Sequence, residues 1–226
     1  MGILDGRKAI VVGASSGVGY GCALRFAEEG AEVLACARRL DRLEGLAADA
    51  AGRGFPGKIT AMTCDVTVEE DIDRVVSHTR EELGRIDILA CIAQGGMRHQ
   101  TYLMETTAED AFEYYTGGPL YTLRFMQKVF PVMKEQHYGR IITCASHGAV
   151  TGQPGFTAYD MAKGAIMALT RIAAHEWAKE GIVTNCFLPV VQNELYGQDP
   201  QSTAAREQLE EIIPVGYFGK AYEDAS

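Results

Sequence analysis

Tyr159 and Lys163 are the two side chains whose types and spacing most directly suggest chemistry. Being four residues apart, they lie on one face of a helix. A free tyrosine has a pKa of about 10, so acid-base chemistry near neutral pH requires a shift of about two to three units. A lysine ammonium about 4 Å away supplies roughly that stabilisation of the phenolate at an effective dielectric constant of about 20. The pair can therefore serve as acid and base, although isolated pairs at this spacing usually carry no function.

A glycine-rich segment, VGASSGVG, directly follows the first apolar run of the chain. Glycines let the backbone approach a dinucleotide pyrophosphate, and the amino terminus of the next helix offers unpaired N–H groups and a favourable dipole. Tight turns also use glycines, but a place in the first βαβ unit favours a cofactor site. The residues expected to contact the cofactor here are Gly13, Ser15, Ser16, Gly17, Val18 and Gly19.

Apolar runs rich in β-branched residues alternate with stretches of helical period, which predicts repeated βαβ units around a parallel sheet. Strands are predicted over Lys8–Val12, Glu32–Cys36, Ile59–Thr63, Ile88–Ala93, Arg140–Cys144 and Val183–Leu188. The predicted fold class is α/β, a Rossmann-like doubly wound parallel sheet flanked by helices on both faces. Residues 1–226 form a single NADP-binding domain in this interpretation, with 193–213 as a candidate substrate lid.

Two helices have recognisable start signals. The pattern Thr67-x-x-Glu70 predicts a capping box at the start of one, and Thr107-x-x-Asp110 predicts the start of a longer helix that runs to about residue 136. The Gly-Gly-Pro at 117–119 is expected to kink or break that longer helix, because proline lacks an N–H and clashes with an earlier carbonyl.

Ser146 lies just past the fifth predicted strand, thirteen residues before Tyr159. This Ser, Tyr and Lys spacing and the Gly-x-x-x-Gly-x-Gly turn resemble the short-chain dehydrogenase/reductase family over essentially the whole chain. The resemblance implies hydride transfer between a nicotinamide dinucleotide and a carbonyl or alcohol. It also implies that Tyr159 is the general acid and base, that Ser146 hydrogen-bonds the reacting oxygen, and that Lys163 also holds the nicotinamide ribose.

The end of the second strand, Cys36-Ala37-Arg38-Arg39, bears on the choice of cofactor. Ala37 stands where NAD-preferring relatives carry an acid for the ribose 2'-hydroxyl, and the guanidinium of Arg38 suits a 2'-phosphate. The alternative is a solvated arginine pair that opens a helix. A missing acid and an added base together favour NADP (NADPH), with Arg38 and Arg39 at the cofactor.

By the same resemblance, Asp65 and Val66 contact the adenine, and Ala93, Pro189 and Val191 belong to the cofactor site. Asp65 alone would more often be an acid that flanks a helix.

The chain departs from the family pattern at several positions. Residues 91–94 read Cys-Ile-Ala-Gln instead of Asn-Asn-Ala-Gly, and Gly118 replaces a catalytic asparagine that holds a water beside the lysine. A carbonyl freed at the Gly-Gly-Pro break is a candidate host for that water. Val190 replaces the glycine of a Pro-Gly pair, and Glu194 replaces a threonine near the carboxamide. Residues 214–219 and 223–225 resemble the approach to a further helix and a seventh strand that the sequence lacks, which predicts an open sheet edge in need of cover.

The leading functional hypothesis is an NADP(H)-dependent oxidoreductase that interconverts a secondary alcohol and a ketone on a mostly apolar small molecule. The alternatives are an NADP-binding protein without redox turnover and a lyase or isomerase that uses Tyr159, since the fold alone does not separate these functions. Candidate pocket residues on the loops beyond the strand ends are Met97, Tyr102, Phe156, Val191, Tyr196 and Tyr217.

Composition limits the partners and the location. A formal net charge of -9, spread over interspersed acids and bases, argues against nucleic acid and against a basic membrane-facing helix. The sequence shows neither a secretion signal nor an apolar run long enough to span a bilayer, so a cytoplasmic homodimer or homotetramer is expected. The six cysteines form no CxxC pair and no zinc-like spacing, which favours small buried thiols over a metal site.

Overall fold

The computed structural model describes residues 2–94, 101–191, 210–211 and 213–223. The strands in these ranges form one parallel sheet in the order β3-β2-β1-β4-β5-β6. They are β1 Lys8–Val12, β2 Glu32–Ala37, β3 Lys58–Thr63, β4 Ile88–Cys91, β5 Gly139–Cys144 and β6 Ile182–Phe187. The α-helices are α1 Gly17–Glu28, α2 Leu40–Gly52, α3 Glu69–Leu83, α4 Ala108–Tyr115, α5 Tyr121–Glu135, α6 Gly148–Thr151 and α7 Thr157–Trp177.

Helices cover both faces of the sheet because alternate residues of each strand are apolar on opposite sides. Ile10 and Val12 of β1 belong to a buried cluster with residues of α3, α5 and α7. Ala9 and Val11 belong to a second cluster with residues of α1 and α2. The predicted doubly wound α/β fold is therefore confirmed.

The predicted strands are confirmed with small shifts at their ends, of which the largest is in β4. That strand ends at Cys91, two residues earlier than predicted. The N–H groups of Ile92 and Ala93 both donate to the carbonyl of Val12, at 2.9 and 3.0 Å, which ends the regular ladder. Ala93 is thereby held against the turn that follows β1.

The two predicted capping boxes had different outcomes. The box at Thr107 is present, with the side chains of Thr107 and Asp110 bonded to each other's backbone N–H. The box at Thr67 is wrong, because α3 has Val68 as its N-cap and begins at Glu69. The backbone N–H and the hydroxyl of Thr67 instead donate to Asp65 Oδ1, at 2.9 and 2.7 Å.

At Gly-Gly-Pro, where a kink or break was expected, the regular α-helix is interrupted but the chain does not leave the helix. Residues Thr116–Leu120 form a π-helical turn, and the chain stays helical from α4 through α5. A π turn shifts the hydrogen-bond register by one residue, which accommodates the N–H that Pro119 lacks. The carbonyl of Gly118 is occupied, since it accepts from the N–H of Tyr121 and from Thr122 Oγ1, the latter at 2.9 Å.

The segment 213–223 packs beside β6 and α1. The N–H of Gly219 donates to the carbonyl of Val190 at 2.9 Å, and Tyr222 donates to Glu28 at 2.7 Å. Phe218 is buried. Among the described residues, no helix combines the length and apolar character needed to cross a bilayer.

Four of the five cysteines near the strand ends are buried, as predicted. Cys36, Cys64, Cys91 and Cys144 are buried free thiols, and Cys186 is partly exposed. Burial raises the pKa of the Cys144 thiol, which therefore stays protonated near neutral pH. In the described part of the chain, no group of three His, Cys, Asp or Glu residues is arranged to hold a metal ion.

Candidate active site

The glycine turn after β1 brings the predicted pyrophosphate site against the end of β4. Gly13 has a φ of +90°, and a Cβ atom there would lie 2.6 Å from the backbone nitrogen of Ala93. Gly19 packs directly on the carbonyl of Gly13, which leaves no room for a side chain. The close approach of these three backbones therefore requires glycine at 13 and 19.

The amino terminus of α1 is open for an anion. Ser16 is its N-cap residue and makes no side-chain cap, and the first turn contains no acid. Gly17 has a φ of +54° and no atom within 4 Å of where its Cβ would lie. Free N–H groups and the helix dipole at this end favour a phosphate.

Two arginines follow β2 at the edge of this turn. Arg39 Nη2 donates to Ser15 Oγ at 2.9 Å and to Ser16 Oγ at 3.0 Å, so its cation lies over the turn. Arg38 is exposed. The Thr67 backbone N–H holds the pKa of the Asp65 carboxyl below its usual value, and the nearby charge of Arg38 adds to this effect.

Val66 follows Asp65 and packs, partly buried, against the core. The structure thus places the predicted adenine pair just after β3, with Asp65 near Arg38.

Lys163 is buried beside the end of β5. The residue is only 2 % exposed, and its Nζ donates a hydrogen bond to the carbonyl of Cys144 at 2.8 Å. Nζ lies 5.6 Å from the centre of the Tyr159 ring. Burial lowers the pKa of Lys163, because a buried ammonium loses its hydration.

Ser146 lies two residues beyond the Cys144 carbonyl that Lys163 holds. Its Oγ accepts from the N–H of Gly148 at 3.2 Å. Because that bond uses an acceptor site of the hydroxyl, the Ser146 proton stays available for another oxygen. The sheet and α7 therefore bring the three predicted catalytic residues to one end of the fold.

Tyr159 has an aromatic wall that the sequence analysis identified only in part. Its ring makes edge contacts with Tyr114, at 6.0 Å between centroids, and with the predicted pocket residue Phe156, at 6.2 Å. Tyr114 was missed, although it is the one buried residue of α4 and lies four residues before Gly118. The surroundings of Tyr159 are consequently apolar.

Asp160 is a second residue that the sequence analysis missed. Its Oδ2 accepts from the N–H of Gln153 at 2.9 Å, and Gly148 packs on the same carboxyl group. Burial raises the pKa of the Asp160 carboxyl. Asp160 thus connects the segment after Ser146 to α7, the helix that carries Tyr159. It belongs to no sequence motif.

Other predicted residues lie along a groove of about 570 Å³ between α1, the end of β6 and segment 213–223. It is lined by Val18, Pro189, Val191 and Tyr217 among others. Tyr102 is exposed, next to a bridge between Thr101 and Phe156. Met97, Glu194 and Tyr196 lie outside the described residues, as does the predicted lid 193–213 apart from residues 210, 211 and 213.

Comparison with known proteins places this architecture in a family. The family profile of the short chain dehydrogenases matches residues 7–195. The 3-oxoacyl-[acyl-carrier-protein] reductase FabG of Thermotoga maritima is 31% identical over 223 residues, which cover 98% of this chain and 88% of that protein. A 12alpha-hydroxysteroid dehydrogenase of a Clostridium species is 33% identical over 227 residues, 97% of this chain and 86% of the relative.

A solved structure shows the same similarity in three dimensions. L-Sorbose reductase from Gluconobacter frateurii, complexed with NADPH and L-sorbose, has a TM-score of 0.89 at 28% identity and covers 100% of this chain and 88% of its own. These matches show that the chain belongs to the short-chain dehydrogenase family, whose members are oxidoreductases that bind a nicotinamide cofactor.

Proposed function

We propose that this protein is an NADP(H)-dependent oxidoreductase that interconverts a secondary alcohol and a ketone on a mostly apolar small molecule. The observation that carries the proposal is the buried ammonium of Lys163, held at the end of β5 and one helical turn from Tyr159. A cation beside a phenol stabilises the phenolate, and water does little to screen that attraction in a buried site. Tyr159 therefore has the neighbour that a general acid and base needs.

In this proposal, proton transfer is carried out by Tyr159 with the help of Ser146, at the carboxyl end of β5. In the direction of reduction, the Tyr159 hydroxyl gives its proton to the substrate's carbonyl oxygen as the carbonyl carbon gains a hydride. Ser146 donates a hydrogen bond to the same oxygen, using the proton that its contact with Gly148 leaves available. In the direction of oxidation, the phenolate takes the proton of the alcohol. The hydride would come from, or go to, a nicotinamide held by the residues of the glycine turn and by Lys163.

The residues of the turn fit a dinucleotide with a 2'-phosphate. The open amino terminus of α1 and the close packing at Gly13 suit the pyrophosphate. Ala37 leaves the end of β2 without an acid, and Arg39 presents a guanidinium held by Ser15 and Ser16. An arginine fork binds phosphate oxygens with charge-assisted hydrogen bonds. These features support NADP as the preferred cofactor.

The expected substrate follows from the walls around Tyr159. Tyr114 and Phe156 place aromatic rings against the proposed acid, so an apolar substrate can shield the reacting carbonyl from water. The names of the hydroxysteroid dehydrogenase and of the L-sorbose reductase describe alcohols or ketones, which supports chemistry at CH–OH and C=O.

We also propose that the protein is a cytoplasmic homodimer or homotetramer, with neither nucleic acid nor membrane as a partner. In the described sheet β6 is an edge strand, and Val183 on it is 45% exposed. An exposed apolar edge supports contact with a second copy.

The direct test is the consumption of NADPH, followed by absorbance, with a panel of cyclic, aliphatic and sugar ketones. Tyr159→Phe should lower kcat by about 100-fold or more while NADPH binding is retained. Tyr138→Phe is the matched control, because Tyr138 lies before β5 at the opposite end of the sheet; it should retain activity.

Retained activity in Tyr159→Phe would place the acid elsewhere. Tight NADPH binding without consumption would favour the binding protein without turnover. Conversion of a hydroxy substrate with the nicotinamide unchanged would favour the lyase or isomerase.

A further inference from the structure

Gln94, three residues after the end of β4, reaches the π turn between α4 and α5. A Cβ atom built on Gly118 would lie 3.5 Å from both Nε2 and Oε1 of Gln94, and 3.9 Å from Cβ of Ala162. The side-chain oxygen of Gln94 is buried. The carboxamide of Gln94 therefore lies where a side chain at position 118 would extend.

The backbone on both sides of this contact is held in place. Tyr121 is fully buried and its hydroxyl donates to the carbonyl of Ala93 at 2.7 Å, which ties the residue before Gln94 to α5. Thr122 Oγ1 donates to the carbonyl of Gly118 at 2.9 Å. The residue before Gln94 and Gly118 itself are thus both held by hydrogen bonds from α5.

Two departures from the family pattern meet at this contact. The resemblance to the family implies glycine at position 94 and asparagine at position 118, where this chain has Gln94 and Gly118. Relative to that pattern, position 94 has the larger side chain and position 118, its neighbour in space, has the smaller one. The side chain present at 94 and the one absent at 118 both end in a carboxamide.

The surroundings of this carboxamide are apolar and include the helix that carries Lys163. Ala162, which borders the contact, immediately precedes Lys163, and the neighbouring cluster of Tyr114, Ala158 and Ala162 is apolar. Lys163 is 2 % exposed, so a proton leaving its ammonium needs a polar neighbour on the way to solvent. A carboxamide both donates and accepts hydrogen bonds, so it can serve as such a link directly or through water.

We infer, on the basis of the proposed function, that Gln94 is a positioning residue whose carboxamide substitutes for a side chain at 118 and links Lys163 to solvent during proton transfer. Its action is indirect, through Lys163 and Tyr159. In this assignment Gly118 leaves the space that the Gln94 carboxamide occupies.

Three variants test this assignment. Gln94→Leu keeps most of the volume and removes the polar group. Gln94→Gly combined with Gly118→Asn moves the carboxamide back to the helix. Gln127→Leu, at an exposed position of α5, is the matched control.

The first readout is kcat for the best ketone as a function of pH. Gln94→Leu should lower kcat by about tenfold or more and shift the pH profile, whereas the relocated pair should return to within about threefold of the unmodified protein. The control should match the unmodified protein. An unchanged rate and profile in Gln94→Leu would overturn the inference, as would failure of the relocated pair to recover when its thermal unfolding shows that it is folded.

The second readout needs no turnover, so it separates this inference from the proposed function. NMR titration of lysine labelled at the ε-carbon, with the signal assigned by its loss in Lys163→Met, follows the charge of Lys163. Gln94→Leu should lower the pKa of Lys163 further, because the buried ammonium loses a polar neighbour, and the relocated pair should restore it. The same titration in all variants would overturn the inference. Failure of every ketone would overturn the proposed function alone.

Discussion

Replacing Arg39 with alanine should remove most of the preference for NADPH over NADH. In the structure Nη2 of Arg39 donates to Ser15 and Ser16, and no described residue engages its Nε and Nη1 donors. The serines hold the guanidinium over the glycine turn and leave those donors for a phosphate. Since NADH lacks the 2'-phosphate, the substitution should affect NADPH and leave NADH nearly unchanged.

The size of the effect follows from the bonds that are lost. Hydrogen bonds to charged groups contribute about 1.5 to 3 kcal/mol. At about 1.4 kcal/mol for each factor of ten, the Kd for NADPH should rise by roughly 10- to 150-fold. Arg38→Ala should also weaken NADPH only, and by less, because Arg38 lies close enough to Asp65 to contribute to its lowered pKa.

The assay is a titration of nucleotide fluorescence with NADPH and with NADH, at low and high salt. The loss for NADPH should shrink as salt increases, because ions screen an exposed charge pair. Arg80→Ala, in the last turn of α3, is the charge-matched control and should change neither affinity. Equal affinities in the unmodified protein, or an equal loss for both nucleotides in Arg39→Ala, would refute the reasoning.

Two further predictions concern the catalytic end of the fold. Burial lowers the pKa of Lys163 below its ordinary value of 10.5. At a pH between these two pKa values, the unfolded chain binds more protons than the native chain, so the free energy of unfolding rises with pH. The free energy of unfolding in urea should thus rise from pH 7 to pH 10 relative to Lys163→Met, and a constant difference would contradict this. Gly148→Ala would place a Cβ atom within 3.0 Å of Cγ of Asp160 and displace the N–H that Ser146 accepts, so kcat should fall by roughly ten- to 100-fold. Gly164→Ala, with open space at its Cβ, is the control; equal rates in the two variants would argue against a role for this contact.

Local rules of spacing made most of the fold and part of the site predictable from the sequence. The alternation of apolar runs with helical periods predicted all strands of the described sheet, because side-chain period follows directly from backbone geometry. The glycine turn was predictable since only glycine fits at 13 and 19. Tyr159 and Lys163 were predictable as a pair, because a separation of four residues in a helix places them on one face.

Competition between neighbouring groups limited the prediction of local detail. The pattern at Thr67 is a valid capping box, but the carboxylate of Asp65 captures both donors of that residue, so α3 begins later. The Gly-Gly-Pro pattern predicts a kink or a break, and the structure has a π turn there, in which the chain stays helical although Pro119 lacks an N–H. At Thr67 a neighbouring carboxylate outweighed the local signal, whereas at Gly-Gly-Pro the signal marked the right place but not the form of the interruption.

By itself, the sequence determined which residue types are available and in what order: a glycine turn, an arginine pair after β2, and a serine, tyrosine and lysine in a set spacing. Only the tertiary structure decided which of them meet. It seats Arg39 on Ser15 and Ser16, joins Lys163 to the carbonyl of Cys144, and carries Gln94 to Gly118. These contacts bridge 19 to 24 residues of chain, and no periodicity encodes them. Their physical cause is the parallel sheet, which gathers the carboxyl ends of strands that are distant in sequence along one edge.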